Sequence, residues 1–139
     1  MGARRYEVLA HTADTGIVVH GAGLPEVFEN SAFAMFDIVC DLSGVPAAEE
    51  CRVEVEADTR GELLVAWLSA LLAESEIRGL VLSRFVVEEM TGRSLRGRAS
   101  GAPAAGRELR GPPVKAVTYH DLAVEEEPGG WWARVIFDV

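Results

Sequence analysis

From Tyr6 onward the chain switches between a period of two and a helical period, and the switches mark out its elements. Tyr6 to Leu9 and Gly16 to His20 predict two short strands, separated by the turn-like stretch His11-Thr12-Ala13-Asp14-Thr15. Leu24-Pro25-Glu26 then opens a helix, with proline near the first helical position, where no N–H is needed. Phe28, Ala32, Met35, Phe36 and Val39 recur at helical spacing and give one apolar face, so this helix should end close to Cys40-Asp41. The loop Leu42-Ser43-Gly44-Val45-Pro46 follows. From Cys51 to Asp58 the pattern alternates: Cys51, Val53, Val55 and Ala57 on one side, Arg52, Glu54, Glu56 and Asp58 on the other. That is a strand with one wet face.

Thr59-Arg60-Gly61-Glu62 has the spacing of a capping box. The helix behind it carries Leu64, Trp67, Leu68, Leu71 and Leu72 as a stripe and should stop near Gly79. Val81 to Glu89 and Leu95 to Ala99 predict two strands joined around Thr91-Gly92. Residues 101–113, rich in Gly, Ala and Pro, read as a long loop. Val114 to Glu125 and Trp131 to Phe137 predict a final hairpin across Pro128-Gly129-Gly130. Hairpin-like connections predict an α+β fold with a mostly antiparallel or mixed sheet and two main helices packed on one face. Residues 1–139 read as a single domain without repeats.

Composition narrows the function classes. The chain is 49% hydrophobic, enough for a core, but no apolar run approaches the roughly 20 residues of a membrane span. Its first residues lack a signal peptide's apolar stretch, and Tyr6 sits where a myristoylation motif wants Ser or Thr. A cytoplasmic protein is expected. Cys40 and Cys51, the two cysteines, match no zinc or redox spacing and are expected as packed thiols. A net charge of -9 argues against unaided nucleic-acid binding, which depends on neutralising phosphates. Seven of the thirteen basic residues nonetheless fall in one segment: Arg84, Arg93, Arg96, Arg98, Arg107, Arg110 and Lys115. They read either as a solvated strand face or as a docking surface.

The chain has no Walker loop, dinucleotide glycine fingerprint, nucleophile elbow or metalloprotease His pair, which argues against a self-contained enzyme. The remaining candidates are acids at turns and strand ends: Asp14, Asp41, Asp121 and Asp138, the last followed by Val139 and its carboxylate. Carboxylates gathered together repel one another, and a hard cation with oxygen ligands relieves that repulsion. Each also has a plain reading: Asp14 as a turn residue beside Gly16, Asp41 as a helix terminator, Asp138 as an exposed terminal acid. His11, His20 and His120 have no metal-site spacing.

Four segments, in order, resemble the archease family. They are Glu7 to Ile17 (EVLAHTADTGI), Phe28 to Ala32 with Asp41-Leu42-Ser43, Lys115 to Leu122 (KAVTYHDL), and Trp132 to Val139 with Asp in the penultimate position. The resemblance implies an α+β fold of strand–helix–strand–strand type and a non-catalytic helper of an RtcB-type RNA ligase. That ligase joins RNA ends in tRNA splicing with GTP and divalent metal. The helper promotes guanylylation of the ligase and its return to activity after a turnover, and meets RNA only through the ligase. The resemblance also implies a divalent cation (calcium, or magnesium or manganese in the cell) on Asp14, Asp138 and Val139. Asp41 is an additional candidate ligand, and Lys115, His11, Arg96 and Arg98 are candidates for partner binding. Two departures stand out: residues 101–113 are unusually Gly- and Pro-rich, and Trp131-Trp132 doubles an aromatic. A chaperone-like module tuning another RNA-processing enzyme, such as a tRNA methyltransferase, remains an alternative, as does a metal-dependent phosphoesterase.

Overall fold

The computed structural model describes residues 5–10 and 14–139. Strands β1 (Tyr6–Ala10) and β2 (Asp14–Gly21) lead into helix α1 (Leu24–Asp37). After a 3-10 turn at Leu42–Gly44 come β3 (Glu49–Glu56), α2 (Arg60–Arg78), β4 (Leu80–Met90) and β5 (Ser94–Pro103). The chain closes with β6 (Ala116–Val117), β7 (Ala123–Glu127) and β8 (Gly130–Asp138). All strand pairings are antiparallel, and they form two sheets. The first runs β1-β2-β8-β6, with β7 also on β8; the second runs β3-β5-β4.

The α+β class, the antiparallel pairing and the two main helices agree with the sequence reading. The division into two sheets is new. Helix α1 packs on β2 of the first sheet and β4 of the second, while α2 packs chiefly on β3 and also reaches β6 and β7. The helix pair is therefore a layer shared by both sheets, and each sheet turns one face to it. No helix among the described residues is long and apolar enough to cross a membrane.

The core follows from the two periods. Alternation along β2 and β8 puts Ile17, Val19, Ala133, Val135 and Phe137 on the helix side, each fully buried. Trp67 of α2 sits between the layers, fully buried, and its indole N–H donates to the Phe28 carbonyl of α1 at 3.1 Å. Its ring lies over Gly97, where a Cβ would come 2.9 Å from the indole and 2.7 Å from the Val86 carbonyl oxygen. At the start of α2, the Thr59 hydroxyl accepts the Glu62 N–H at 3.1 Å, as the capping box predicts, and itself donates to the Glu62 carboxylate at 3.0 Å, where the motif would have the Thr59 backbone N–H. Gly79 ends the helix with φ +65°, a backbone that favours glycine.

Two expectations change. The strand expected over 114–125 is broken: β6 stops at Val117, and β7 begins at Ala123 after a turn. Asp121 lies in that turn, not in a strand, with φ 51°. Thr118 donates its N–H and hydroxyl to the Ile136 carbonyl, and Arg134 donates to the Asp121 carbonyl, so the turn is held against β8 on both sides. Helix α1 ends at Asp37, before the expected Cys40. The Asp37 carboxylate accepts the Leu42 N–H at 3.2 Å and so serves the turn beyond the helix.

Asp37 is also the centre of a clasp. The Tyr6 hydroxyl donates to it at 2.7 Å, and Arg110, from the long loop, approaches the same oxygen at 2.8 Å. Arg110 further donates its side-chain Nε to the Asp37 carbonyl and its backbone N–H to the Val39 carbonyl. One acid thereby ties β1, the end of α1 and the loop together. Burial, the hydrogen bond to Asp37 and that carboxylate's charge push the Tyr6 phenol up to about 12.

A phenol whose pKa is raised on folding contributes stability that is complete below the unfolded value near 10 and is lost as pH rises through about 12. Tyr6 is only half-buried, so solvent screening reduces the contribution to about 1 kcal/mol. Urea-unfolding midpoints should fall between pH 10 and 12 more steeply in the parent than in Tyr6→Phe. At Gly97, substitution by Ala should cost about 1–3 kcal/mol in the same assay, because neither the Val86 backbone nor the buried indole can move aside cheaply.

Candidate metal centre

Strand pairing decides which acids meet. In the β2–β8 register Asp14 is the direct partner of Asp138, and β6 places Ala116 beside Asp138 from the other side. Asp138 is thus the central residue of three adjacent strand ends, and its carbonyl accepts the Lys115 N–H at 2.8 Å. Directly opposed residues of antiparallel strands hold their Cβ atoms about 4.5–5.5 Å apart, close enough for two carboxylates to repel strongly or to share one cation.

The two acids differ in exposure. Asp138 is exposed, whereas Asp14 is half-buried and its Oδ1 has no contact with solvent. That oxygen accepts no hydrogen bond from the described residues. Alternation puts Gly16 and Ile136 on the same outer face as the pair, and Ile136 is buried against Gly16. A buried carboxylate oxygen without a donor is costly unless a cation takes the donor's place. The donor set of carboxylates and backbone carbonyls suits a hard divalent cation. It does not suit zinc in a thiolate or imidazole cage, since Cys40 and Cys51 are buried in the core as free thiols. Among the described residues, no group of three or more His, Cys, Asp or Glu side chains gathers as a ligand set. A cation on this pair would complete its shell with backbone oxygens and water. Val139 follows Asp138 directly and is partly packed on the core, so its backbone oxygens would be candidates.

Asp41 is not brought into this group. It caps the 3-10 turn, accepting the Ser43 N–H at 3.0 Å from an exposed position, and hydrogen bonding to Ser43 holds its carboxyl below the usual range. His11 lies outside the described residues. Lys115 is exposed and adjoins the acid pair through its own backbone.

Arg96 and Arg98 are on β5, in the other sheet. They join an ion-paired outer face: Arg96 with Glu89 at 2.6 Å, Arg98 with Glu50 at 3.3 Å and with Glu88 at 3.7 Å, and Arg52 with Glu88 at 3.6 Å. Such exposed pairs contribute about 0–1 kcal/mol each. Arg107 and Arg110 instead bind loop and helix carbonyls, so the basic segment is not one surface. The role of Arg110 on Asp37 was not readable from spacing, since it is one of two arginines in a Gly- and Pro-rich loop.

The sequence profile of the Archease protein family (MTH1598/TM1083) matches residues 6–139. The chain is similar to the protein archease of Methanothermobacter thermautotrophicus, with 41% identity over 96% of this chain and 98% of that one. The solution structure of Methanobacterium thermoautotrophicum protein 1598 superposes with a TM-score of 0.82 at 38% identity, covering 97% of this chain and 99% of that one. A Thermotoga maritima crystal structure, described as an archease and possible chaperone, has the same fold, with a TM-score of 0.65 at 20% identity over 100% and 99% of the two chains.

If the acid pair is a cation site, millimolar calcium should raise the melting temperature of the parent. Asp14→Asn should be as stable as the metal-free parent or about 0.5–1 kcal/mol more stable, since the opposed charges no longer repel, and calcium should not shift it. Thermal melts of both proteins, with calcium and with chelator, check this.

Proposed function

This chain belongs to the archease family, and from that membership we propose that it is a non-catalytic accessory protein of an RtcB-type RNA ligase. In this reading it promotes guanylylation of the ligase and multiple turnover in tRNA splicing or RNA repair, working in the cytoplasm. The observation that carries the reading is the placement of Asp14 against Asp138, with a buried Asp14 oxygen that accepts no hydrogen bond from the described residues.

Asp14, Asp138 and the backbone oxygens of Val139 would hold a divalent cation at the end of the first sheet. Bound there, the cation supplies positive charge for phosphate oxygens during attack on a nucleotide. Asp14 is fixed by the β2 ladder, so it orients its ligand atoms with little freedom. Asp138 is exposed and can present its side to a docked enzyme. Lys115, tethered to the Asp138 carbonyl through its N–H, puts a cation-bearing side chain beside the acids, where it can engage the ligase or a phosphate. RNA is met only through the ligase, as the net charge of -9 suggests.

The second reading is a chaperone-like module acting on another RNA-processing enzyme; the description of the Thermotoga structure as a possible chaperone keeps it in view. A ligation assay at limiting ligase separates the two. Under the first reading the parent gives multiple turnovers, and Asp14→Ala or Asp138→Ala loses at least ten-fold in stimulation while keeping its circular dichroism spectrum. Full stimulation by either variant would end the cation-positioning account, and no stimulation by folded parent protein would favour the second reading.

A further inference from the structure

The first sheet ends in an unprotected edge. β1 is the outermost strand of the order β1-β2-β8-β6, and none of the described residues pairs with its outer side. Open edges attract other strands, and folded proteins usually blunt them with charges, bulges or covering segments. The two edges of the second sheet show such devices. β4 has register shifts between Leu82 and Arg84 and between Val87 and Glu89, and Glu29 of α1 accepts the Val87 N–H at 2.8 Å. β3 carries Glu50, Arg52, Glu54 and Glu56 on its exposed face. β1 pairs with β2 in unbroken register from Tyr6 to Ala10 and exposes Val8, one of few large apolar side chains left 44% exposed.

Beside this edge, on the α1 side, lies a groove of about 360 Å³ lined by Arg5, Tyr6, Val8, Phe33, Asp37 and Arg110. Val8, Phe33 and Tyr6 give it apolar lining. The Arg5 guanidinium stands 4.0 Å from the Phe33 ring centroid, and Arg110 is spent on Asp37. Two arginines against one aspartate leave the groove locally positive on a chain of net charge -9. The arginine not matched by an acid is Arg5, among the described residues.

We propose that β1 is a docking edge for an extended segment of a partner protein, added as an antiparallel or parallel sixth strand beside β1, with an apolar side chain over Val8 and Phe33 and an acidic side chain at Arg5. Main-chain hydrogen bonds to the edge give such an addition its affinity, and alternate side chains in the groove give it specificity. Charge selects the acidic residue: a basic segment would meet Arg5 and Arg110, and an uncharged one would leave Arg5 on Phe33 as it is. A second copy of this chain fits less well, because its own β1 offers Glu7, which lies on the face opposite Tyr6 and Val8, and no acid on the groove side. This surface is separate from the acid pair, since Asp14 lies beyond the far end of β1 from Arg5. It does not depend on the ligase reading.

The test uses the full chain and two blocked seven-residue peptides, Thr-Val-Thr-Val-Thr-Glu-Thr and the same peptide with Lys for Glu. In either, the valines and the charged residue share one face of a strand. Fluorescence anisotropy of dye-labelled peptides gives the affinity, and amide hydrogen exchange by NMR gives the location. The acidic peptide should bind at least ten-fold tighter than the basic one and slow exchange at Tyr6 to Ala10. Arg5→Glu, an exposed change that should leave the fold intact, should reverse that preference. Equal affinity of the two peptides, protection elsewhere on the molecule, or no binding of the acidic peptide at millimolar concentration would overturn the proposal. So would concentration-dependent dimerisation that protects the same amides without peptide, which would assign the edge to a second copy.

Discussion

The register of β2 against β8 is the constraint on which both the core and the acid pair depend. Strand β8 borders β2, β6 and β7, so an error in its position would propagate through most of the first sheet. A slip of β2 by one residue would turn Ile17 and Val19 from the helix layer to the outside, and a slip of β8 would do the same to Val135 and Phe137. Burial of each such side chain contributes about 1.5–3 kcal/mol, while two opposed surface carboxylates cost at most about 1 kcal/mol. The apolar side of the ladder therefore outweighs the repulsion on its other side. Asp14 and Asp138 share the outer face because the hydrophobic face of the same strands excludes any one-residue slip that would put them on opposite sides.

The elements themselves were legible because period is a local property. Cys51 to Asp58, the Leu64 to Leu72 stripe and the capping box at Thr59 each predicted an element that formed. What period cannot express is which strand pairs with which. The separation of β3, β4 and β5 into their own sheet, and with it the distance of Arg96 and Arg98 from Asp138 in the fold, depends on pairing alone. The break between β6 and β7 was hidden for a related reason: Val117 and Val124 both belong to runs that read as strand. The turn between them is stabilised by Thr118 and Arg134, through bonds to carbonyls distant in sequence or on the neighbouring strand. Asp14 and Asp138 were nominated from turn and strand-end position and from resemblance; their direct pairing and the buried Asp14 oxygen are tertiary facts.

The arginines show why counting charges along a chain says little about surfaces. Arg96 pairs with Glu89 on an exposed sheet face, where water screens the pair and leaves it weak, while Arg98 lies deeper among the neighbouring glutamates with its Nε shut away from solvent. Arg110, from the same run, has three acceptors at the end of α1: the Asp37 carboxylate, the Asp37 carbonyl, and the Val39 carbonyl through its backbone. A planar guanidinium suits this task, since its donors are fixed in a fork and less freedom is lost for each bond made. The clasp holds the middle of a long loop that is also tied by Arg107 to the Gly44 carbonyl and near its ends by Ala104 to Gly79 and by Lys115 to Asp138. The loop thus runs from the end of α2, through the end of α1, to the acid pair.

That path bears on how the acid pair is kept ready. The carbonyl of Asp138 is held by Lys115 and its strand by β2, but its side chain is exposed and free to turn. Asp14 is the opposite case: one carboxylate oxygen is shut away from water beside Ile136 and receives no donor from the described residues. A sequence optimised for stability alone would place a neutral, shorter or bonded side chain there. Consistency between local choice and fold holds along the rest of β2, where Ile17 and Val19 sit on the buried face and His20 on the exposed end. A single violation at a strand end, opposite a second acid, is the pattern expected where a site has been retained at the expense of stability. The two acids are therefore unlike in their surroundings: one oxygen of Asp14 is shut away from water on a paired strand, while Asp138 is exposed at the end of its own.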